Sequence, residues 1–324
     1  MSRPARLLLL AALGLVLALG AFLPLPYYAA GPGPGREVTP LIRFDDRDRY
    51  DPGGHLVMTS VRIEQLTPFG LVAAWVDDTR AVFPRDEVFT PGVDRDLEDR
   101  RAFSEMDQSK IDASFVVLER LAGYPRAHAP GALVQSTASG CPADDQLFPG
   151  DVIVRIGDRT IGSVRQASRA IDAVPAGDPI EFVLDVDGTT ESATFTRAPC
   201  GGDGEALVGV RLLASFPFPI AIESGDVGGP SAGLMWAIGL YELLTPGDLT
   251  AGRVIAGTGT IDLDGAVGAI GGIREKVVGA ERVGASVFLV PDGNLAELEG
   301  IDTGEMRIIG VATFDDALAA LREG

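Results

Sequence analysis

The 324-residue sequence predicts an α+β fold in which a mixed sheet with helices is joined to a β-rich module behind an apolar N-terminal helix. Three observations predict it. Residues 205–324 alternate strand-like β-branched runs with helix-length apolar stretches. Residues 123–200 hold short strand-like runs cut by Gly, Pro and Asp turns around one helix-length segment. Residues 7–23 are uncharged and apolar, behind Arg3 and Arg6.

The apolar run is close to the length of about 20 residues that a spanning helix needs. Pro24 to Ala30 add uncharged length, with Tyr27 and Tyr28 as an aromatic belt. Residues 1–30 are therefore expected to be a transmembrane anchor. No basic residue follows until Arg36, which puts the N-terminus in the cytoplasm and the bulk outside the membrane. A cleaved signal peptide ending near Ala18-Leu19-Gly20 is the alternative. The Gly31-Pro32-Gly33-Pro34-Gly35 string opens a linker, residues 31–53.

Residues 56–66 and 71–76 are expected as strands, residues 83–99 as polar and proline-broken, and residues 105–121 as a helix. Met106, Ile111, Ala113, Val117, Leu118 and Leu121 are its inner positions. In the middle module, strands are expected at 131–134, 180–186 and 192–197, with a helix at 164–174. In the last segment strands are expected at 206–213, 254–260, 286–290 and 306–311, and helices at 231–244, 273–283 and 314–322. Asp264-Gly265 marks a hairpin turn.

A net charge of −19 argues against nucleic-acid binding, which needs a basic face. No GxxxxGK[ST] string occurs, so no ATP site is expected, and no cofactor or metal motif is present. The two histidines, His55 and His128, sit in no triad-like motif and are read as solvent or packing residues. The only cysteines are Cys141 and Cys200. An export signal makes a disulfide between them chemically allowed, two buried thiols being the alternative. Their places near the two ends of one module favour the bridge.

Lysine is nearly absent. Lys110 and Lys276 stand among 27 basic residues, the rest arginine. Arginine cannot give up its proton in a protein, whereas a buried lysine can become neutral and act as a base. Ile273, Lys276, Val277 and Ala280 share one helix face, so Lys276 lies on the apolar side. Ser231 follows Gly229 and Pro230 and precedes the apolar stretch 234–240. A tight turn into a buried helix would place its hydroxyl where free N–H groups can face an oxyanion. An ordinary serine N-cap is the structural alternative.

Gly229-Pro230-Ser231-Ala232-Gly233, Thr258-Gly259 and the run from Gly265 to Lys276 occur in order and at matching spacing, and together resemble the proteolytic domain of Lon proteases. The resemblance implies Ser231 as nucleophile, Lys276 as general base and Thr258 as the hydroxyl that orients the lysine. Gly228 stands where Lon enzymes often carry an acidic residue, and Asp226 is near but out of register. The Pro149-Gly150-Asp151-Val152-Ile153 string resembles a PDZ domain, with the helix at 164–174 lining its peptide groove. The Gly-hydrophobic carboxylate loop of such domains is not matched at Gly123-Tyr124-Pro125.

With its N-terminal helix the chain resembles the YlbL-type family of membrane-anchored, Lon-like serine proteases with a PDZ domain. Glu105 to Ser109 also look like the first helix of a Lon proteolytic domain, which implies that the PDZ-like module, 123–200, is inserted between 54–122 and 205–324. The implied function is ATP-independent endopeptidase activity on polypeptide substrates. Homo-oligomerisation is left open. A PDZ adaptor on an inert Lon-like scaffold and a GHMP-type small-molecule kinase, whose glycine-rich loop cradles phosphate, are the alternatives.

Overall fold

A computed structural model describes residues 3–200 and 204–323; Gly324 of the last expected segment lies outside the described residues. Helix α1 covers Arg3–Phe22. Strands β1 (Tyr27–Pro32), β2 (His55–Met58) and β3 (Val61–Gln65), helix α2 (Pro68–Trp75), strand β4 (Ala81–Pro84) and helix α3 (Arg95–Ala122) follow.

This first part departs from expectation in three places. No helix among the described residues is long and apolar enough to cross a membrane. Helix α1 stops at Phe22, and Tyr27 to Pro32 are taken by the sheet instead of lengthening the apolar run, because β1 pairs antiparallel with both β3 and β4. The expected linker is not a linker either. Arg36–Glu37 pair with β2, and Val38 and Ile42 are fully buried in the main core. Finally, Leu71 to Val76 form helix, not strand. Pro68 sits in the first turn and the Thr67 hydroxyl accepts from Gly70 N at 3.2 Å, a start signal that outweighs a short apolar run of ambiguous period.

The module contains β5 (Ala129–Thr137), β6 (Val152–Ile156), α4 (Val164–Asp172), β7 (Pro179–Val186), β8 (Thr189–Thr196) and β9 (Val210–Ser215). They form one sheet in the order β8-β7-β6-β5-β9 over a core that includes Leu147, Ile153, Ile161 and Phe182. The module therefore ends at Ser215, not Cys200. Strand β9 pairs along β5, and Val208, Val210 and Leu212 pack into the module's core. The Pro-Gly-Asp turn closes on itself, since the buried Asp151 carboxylate accepts from Phe148 N at 2.8 Å. A disulfide joins Cys141 to Cys200 with a Cα separation of 5.3 Å.

The last part contains α5 (Gly233–Leu244), β10 (Val254–Gly257), α6 (Ile273–Arg282), β11 (Val287–Pro291), β12 (Arg307–Val311) and α7 (Phe314–Glu323). Strands β2, β10, β11 and β12 run parallel, with Arg36–Glu37 antiparallel at one edge. The central strands β10 and β11 are buried on both faces and read as continuous apolar runs. One core joins Val38, Ile42, Leu56 and Met58 to Met106 and Val117 of α3 and to α5 and α7. The parts on either side of the module are thus one packing unit. Helix α3 spans the junction. Its Asp112, buried and pushed above the usual carboxylate range by desolvation, accepts from Gln135 Nε2 of β5 at 2.6 Å.

Excising residues 129–215 behind a short glycine linker is expected to leave a remainder that unfolds cooperatively on heating. A remainder without a cooperative transition would mean that the module is part of the main core's stability.

Candidate active site

Helix α5 is buried along nearly its whole length, with Trp236 fully enclosed and its indole N–H directed at Met106 Sδ, 3.4 Å away. The chain reaches this helix through the Gly228–Ala232 turn. Gly229 N donates to Ala102 O of α3 at 2.7 Å. Ser231 is not the N-cap: that position is Ala232, and no side-chain cap bond forms. The capping explanation of the serine therefore fails, and its hydroxyl is left for another partner.

That partner is Lys276, whose Nζ lies 2.8 Å from Ser231 Oγ. Helix α6 carries Lys276 on its inner face beside Ile273, Val277 and Ala280, and the side chain is 3% exposed. Thr258, at the end of β10 and fully buried, completes the cluster. Its Oγ1 donates to Ser231 O at 2.9 Å and accepts from Lys276 Nζ at 3.1 Å. The threonine proton is committed to the serine carbonyl, so towards the lysine Thr258 can only accept. A neutral Lys276 then spends one N–H on Thr258 and keeps its lone pair free for the Ser231 proton. Burial lowers the Lys276 pKa from 10.5 to about 8, the nearby Glu275 carboxylate opposing it weakly.

Ser231 and Lys276 open on a cavity of about 820 Å³ whose walls include Met58, Val61, Ile63, Phe83 and Val227. Strand β3, along one wall, is an edge strand. Arg36 also lines the cavity, donating to Ser224 O at 3.0 Å and pairing with Asp226, whose pKa that hydrogen bond lowers. Asp226 is thus tied to Arg36 and makes no hydrogen bond to Ser231 or Lys276 among the described residues. Gly229 and Pro230 shape the turn and contribute no side-chain chemistry. His55 is exposed beside Glu37, and His128 is exposed at the start of the module.

A second concavity, about 680 Å³, lies in the module between α4 and β9, lined by Val164, Ile171, Arg197, Val210 and Leu212. The hydrophobic–glycine–hydrophobic string sought near Gly123 lies at the other end, in Val208-Gly209-Val210, which leads into β9. Gly209 has φ +78°, and a Cβ there would sit 2.1 Å from Cys141 Cβ, so only glycine fits against the disulfide.

Residues 220–322 match the Lon protease (S16) C-terminal proteolytic domain, a segment holding Ser231, Thr258 and Lys276. Among curated proteins, Lon protease 1 of Herpetosiphon aurantiacus is 47% identical over 122 residues, covering 36% of this chain and 14% of that protein. The Lon protease of Clostridium beijerinckii is 38% identical over 104 residues, covering 31% of this chain and 13% of that protein. The chain thus spans about one-seventh of the length of these relatives. Among solved structures, the PDZ domain of the SdrC-like protein from Listeria innocua matches with 22% identity and a TM-score of 0.24, covering 25% of this chain and 92% of that one. Residues 220–322 thus resemble the proteolytic domain of Lon proteases, and the match supports a serine-type peptidase.

Proposed function

We propose that the chain is an ATP-independent endopeptidase working through a Ser231–Lys276 dyad, of the YlbL type, with its module recruiting polypeptide. The observation that carries this is the 2.8 Å contact between a buried lysine amine and a serine hydroxyl on the wall of a large cleft. Neutral Lys276 takes the Ser231 proton as Oγ attacks the peptide carbonyl. The Ser231 N–H and a neighbouring amide receive the developing oxyanion; Pro230, lacking an N–H, can give nothing. Lys276 returns the proton to the leaving amine, and water hydrolyses the acyl-enzyme. Labelling by a fluorophosphonate probe, together with cleavage of unfolded casein without nucleotide, tests the reading. Loss of both in Ser231→Ala is expected. A wild-type protein that neither labels nor cleaves would overturn it and leave the inert-scaffold and kinase alternatives, which nucleotide binding separates.

The general base also sets a pH dependence. Below a pKa of about 8 the dyad is protonated and inactive. The kcat/KM is expected to rise about tenfold per pH unit on the acid side and to level off above pH about 8. A rate independent of pH between 6 and 9 would remove Lys276 from the role.

In the module, strand β9 is the sheet's edge and has α4 across from it, which suits addition of an extended peptide. Gly209→Ala forces the Val208–Val210 loop off the disulfide. Its affinity for fluorescent peptides from a random library is expected to fall at least about tenfold. Wild-type affinity in that variant would remove the groove from the function.

Membrane attachment with the N-terminus cytoplasmic and the rest outside rests on the sequence alone, where Arg3 and Arg6 precede an uncharged run to Leu23; no helix of the described residues is long and apolar enough to span a membrane. Sedimentation with membranes after carbonate washing, and protease accessibility of the soluble part, test the two statements separately.

A further inference from the structure

We infer that Ser109 of α3 is a positioning residue that aims the oxyanion-binding N–H of Ser231; this rests on the dyad reading above. Ser109 is 3% exposed and its hydroxyl donates to Pro230 O at 3.0 Å, across 121 positions of sequence. A buried helical serine ordinarily bonds back to the carbonyl four residues earlier. Ser114, one turn on, does so, donating to Lys110 O at 2.8 Å. Ser109 instead leaves its helix to hold the peptide unit that precedes the nucleophile.

The geometry of that unit gives the hold its meaning. The Pro230–Ser231 peptide is planar and trans, so the Ser231 N–H points opposite to the Pro230 carbonyl. Fixing the carbonyl against α3 therefore fixes the N–H on the far side. Ser231 lines the cleft, and its N–H meets no acceptor among the described residues. Gly233 N also reaches Pro230 O, at the longer distance of 3.3 Å. The following peptide is pinned from the other side, where Ser231 O accepts from Gly259 N at 2.8 Å and from Thr258 Oγ1. Both peptide planes around the nucleophile are thus held, one by β10 and one by Ser109.

Packing keeps the contact tight. A Cβ on Gly233 would lie 2.8 Å from Ser109 Oγ and 3.0 Å from Ile261 N, so the helix start presses directly on the serine. Ser109 lies outside residues 220–322, the segment that matches the Lon proteolytic domain. The chain upstream of the module thereby supplies part of the site's precision.

The test uses the full chain and reads steady-state kinetics on a fluorogenic peptide, affinity for a peptide boronate that forms a tetrahedral adduct on Ser231, and thermal unfolding. In Ser109→Ala, kcat is expected to fall about 10- to 100-fold with KM within twofold of wild type. Boronate affinity is expected to fall by a similar factor, while the ionisation seen in the pH profile stays in place. Ser109→Cys, nearly isosteric with a weaker donor, is expected to fall between, and it carries the test if the alanine variant does not fold. Wild-type kcat and boronate affinity in folded Ser109→Ala would overturn the inference. So would a rise in KM or a displaced pH profile accounting for the loss. If wild type cleaves and Ser231→Ala does not, such a result sinks only the role of Ser109. If Ser231→Ala cleaves like wild type, the dyad reading itself has failed.

Discussion

Lys276→Arg is expected to fold like wild type and to lose at least about a thousandfold in kcat, the scale seen when a nucleophile's base is removed. The substitution keeps the charge and most of the length. What it takes away is the neutral state, because a guanidinium holds its proton at every pH a protein survives. With the Thr258 hydroxyl proton already given to Ser231 O, no other group in contact with Ser231 Oγ can accept a proton. Asp226 cannot substitute, since it is paired to Arg36. Kinetics on a peptide substrate, with circular dichroism to verify the fold, decide the matter. Retained turnover in the folded arginine variant would end the dyad mechanism, whatever Ser231 proves to do.

Lys276→Met is expected to be equally inactive yet more stable than wild type. Burial holds the folded lysine's pKa at about 8, below its ordinary 10.5. Below pH about 8 both the folded protein and the unfolded chain carry the proton, and only the folded protein must bury the ammonium. That costs about 3 kcal/mol of stability, at about 1.4 kcal/mol for each tenfold change in proton affinity. Between pH about 8 and about 10.5 the folded protein has shed the proton while the unfolded chain still binds it, so wild-type stability rises with pH. Above that range the cost is gone. Thermal or urea unfolding at pH 7 is therefore expected to favour the methionine variant by about 2 to 3 kcal/mol, with the gap closing in strongly alkaline buffer. A methionine variant markedly less stable at pH 7 would make Lys276 a charged structural partner.

The last third of the chain is the most legible from sequence. Its central strands β10 and β11 are buried on both faces and its helices carry apolar stripes, so local pattern and tertiary environment agree. Ile273, Val277 and Ala280 alone suffice to place Lys276 on an inner helix face. The upstream third is the least legible. Val38 and Ile42 enter the core from a stretch rich in Gly, Pro and charge, where no period marks an inward face. Leu71 to Val76 form too short a run for periodicity to separate helix from strand, and the deciding signal is Thr67-Pro68 before it. The sequence suggests Cys200 as the module's far edge, because β9 looks like the opening strand of the catalytic part. Only pairing with β5 assigns it to the module. Ser109 is beyond the reach of pattern, since a lone serine in a helix shows nothing of a carbonyl 121 positions away.

The antiparallel register of β5 and β9 sets Ala129 opposite Ser215. The chain thus departs from the catalytic half and comes back to it on neighbouring strands, a gap of about 5 Å between backbones. A segment tethered at two such close points asks little change of the host's backbone path if its length varies, although its loss would leave the buried Asp112 carboxylate without Gln135. On the proposed reading, the doorway at Ala129 and Ser215 is where the peptide-recruiting module joins the dyad's host.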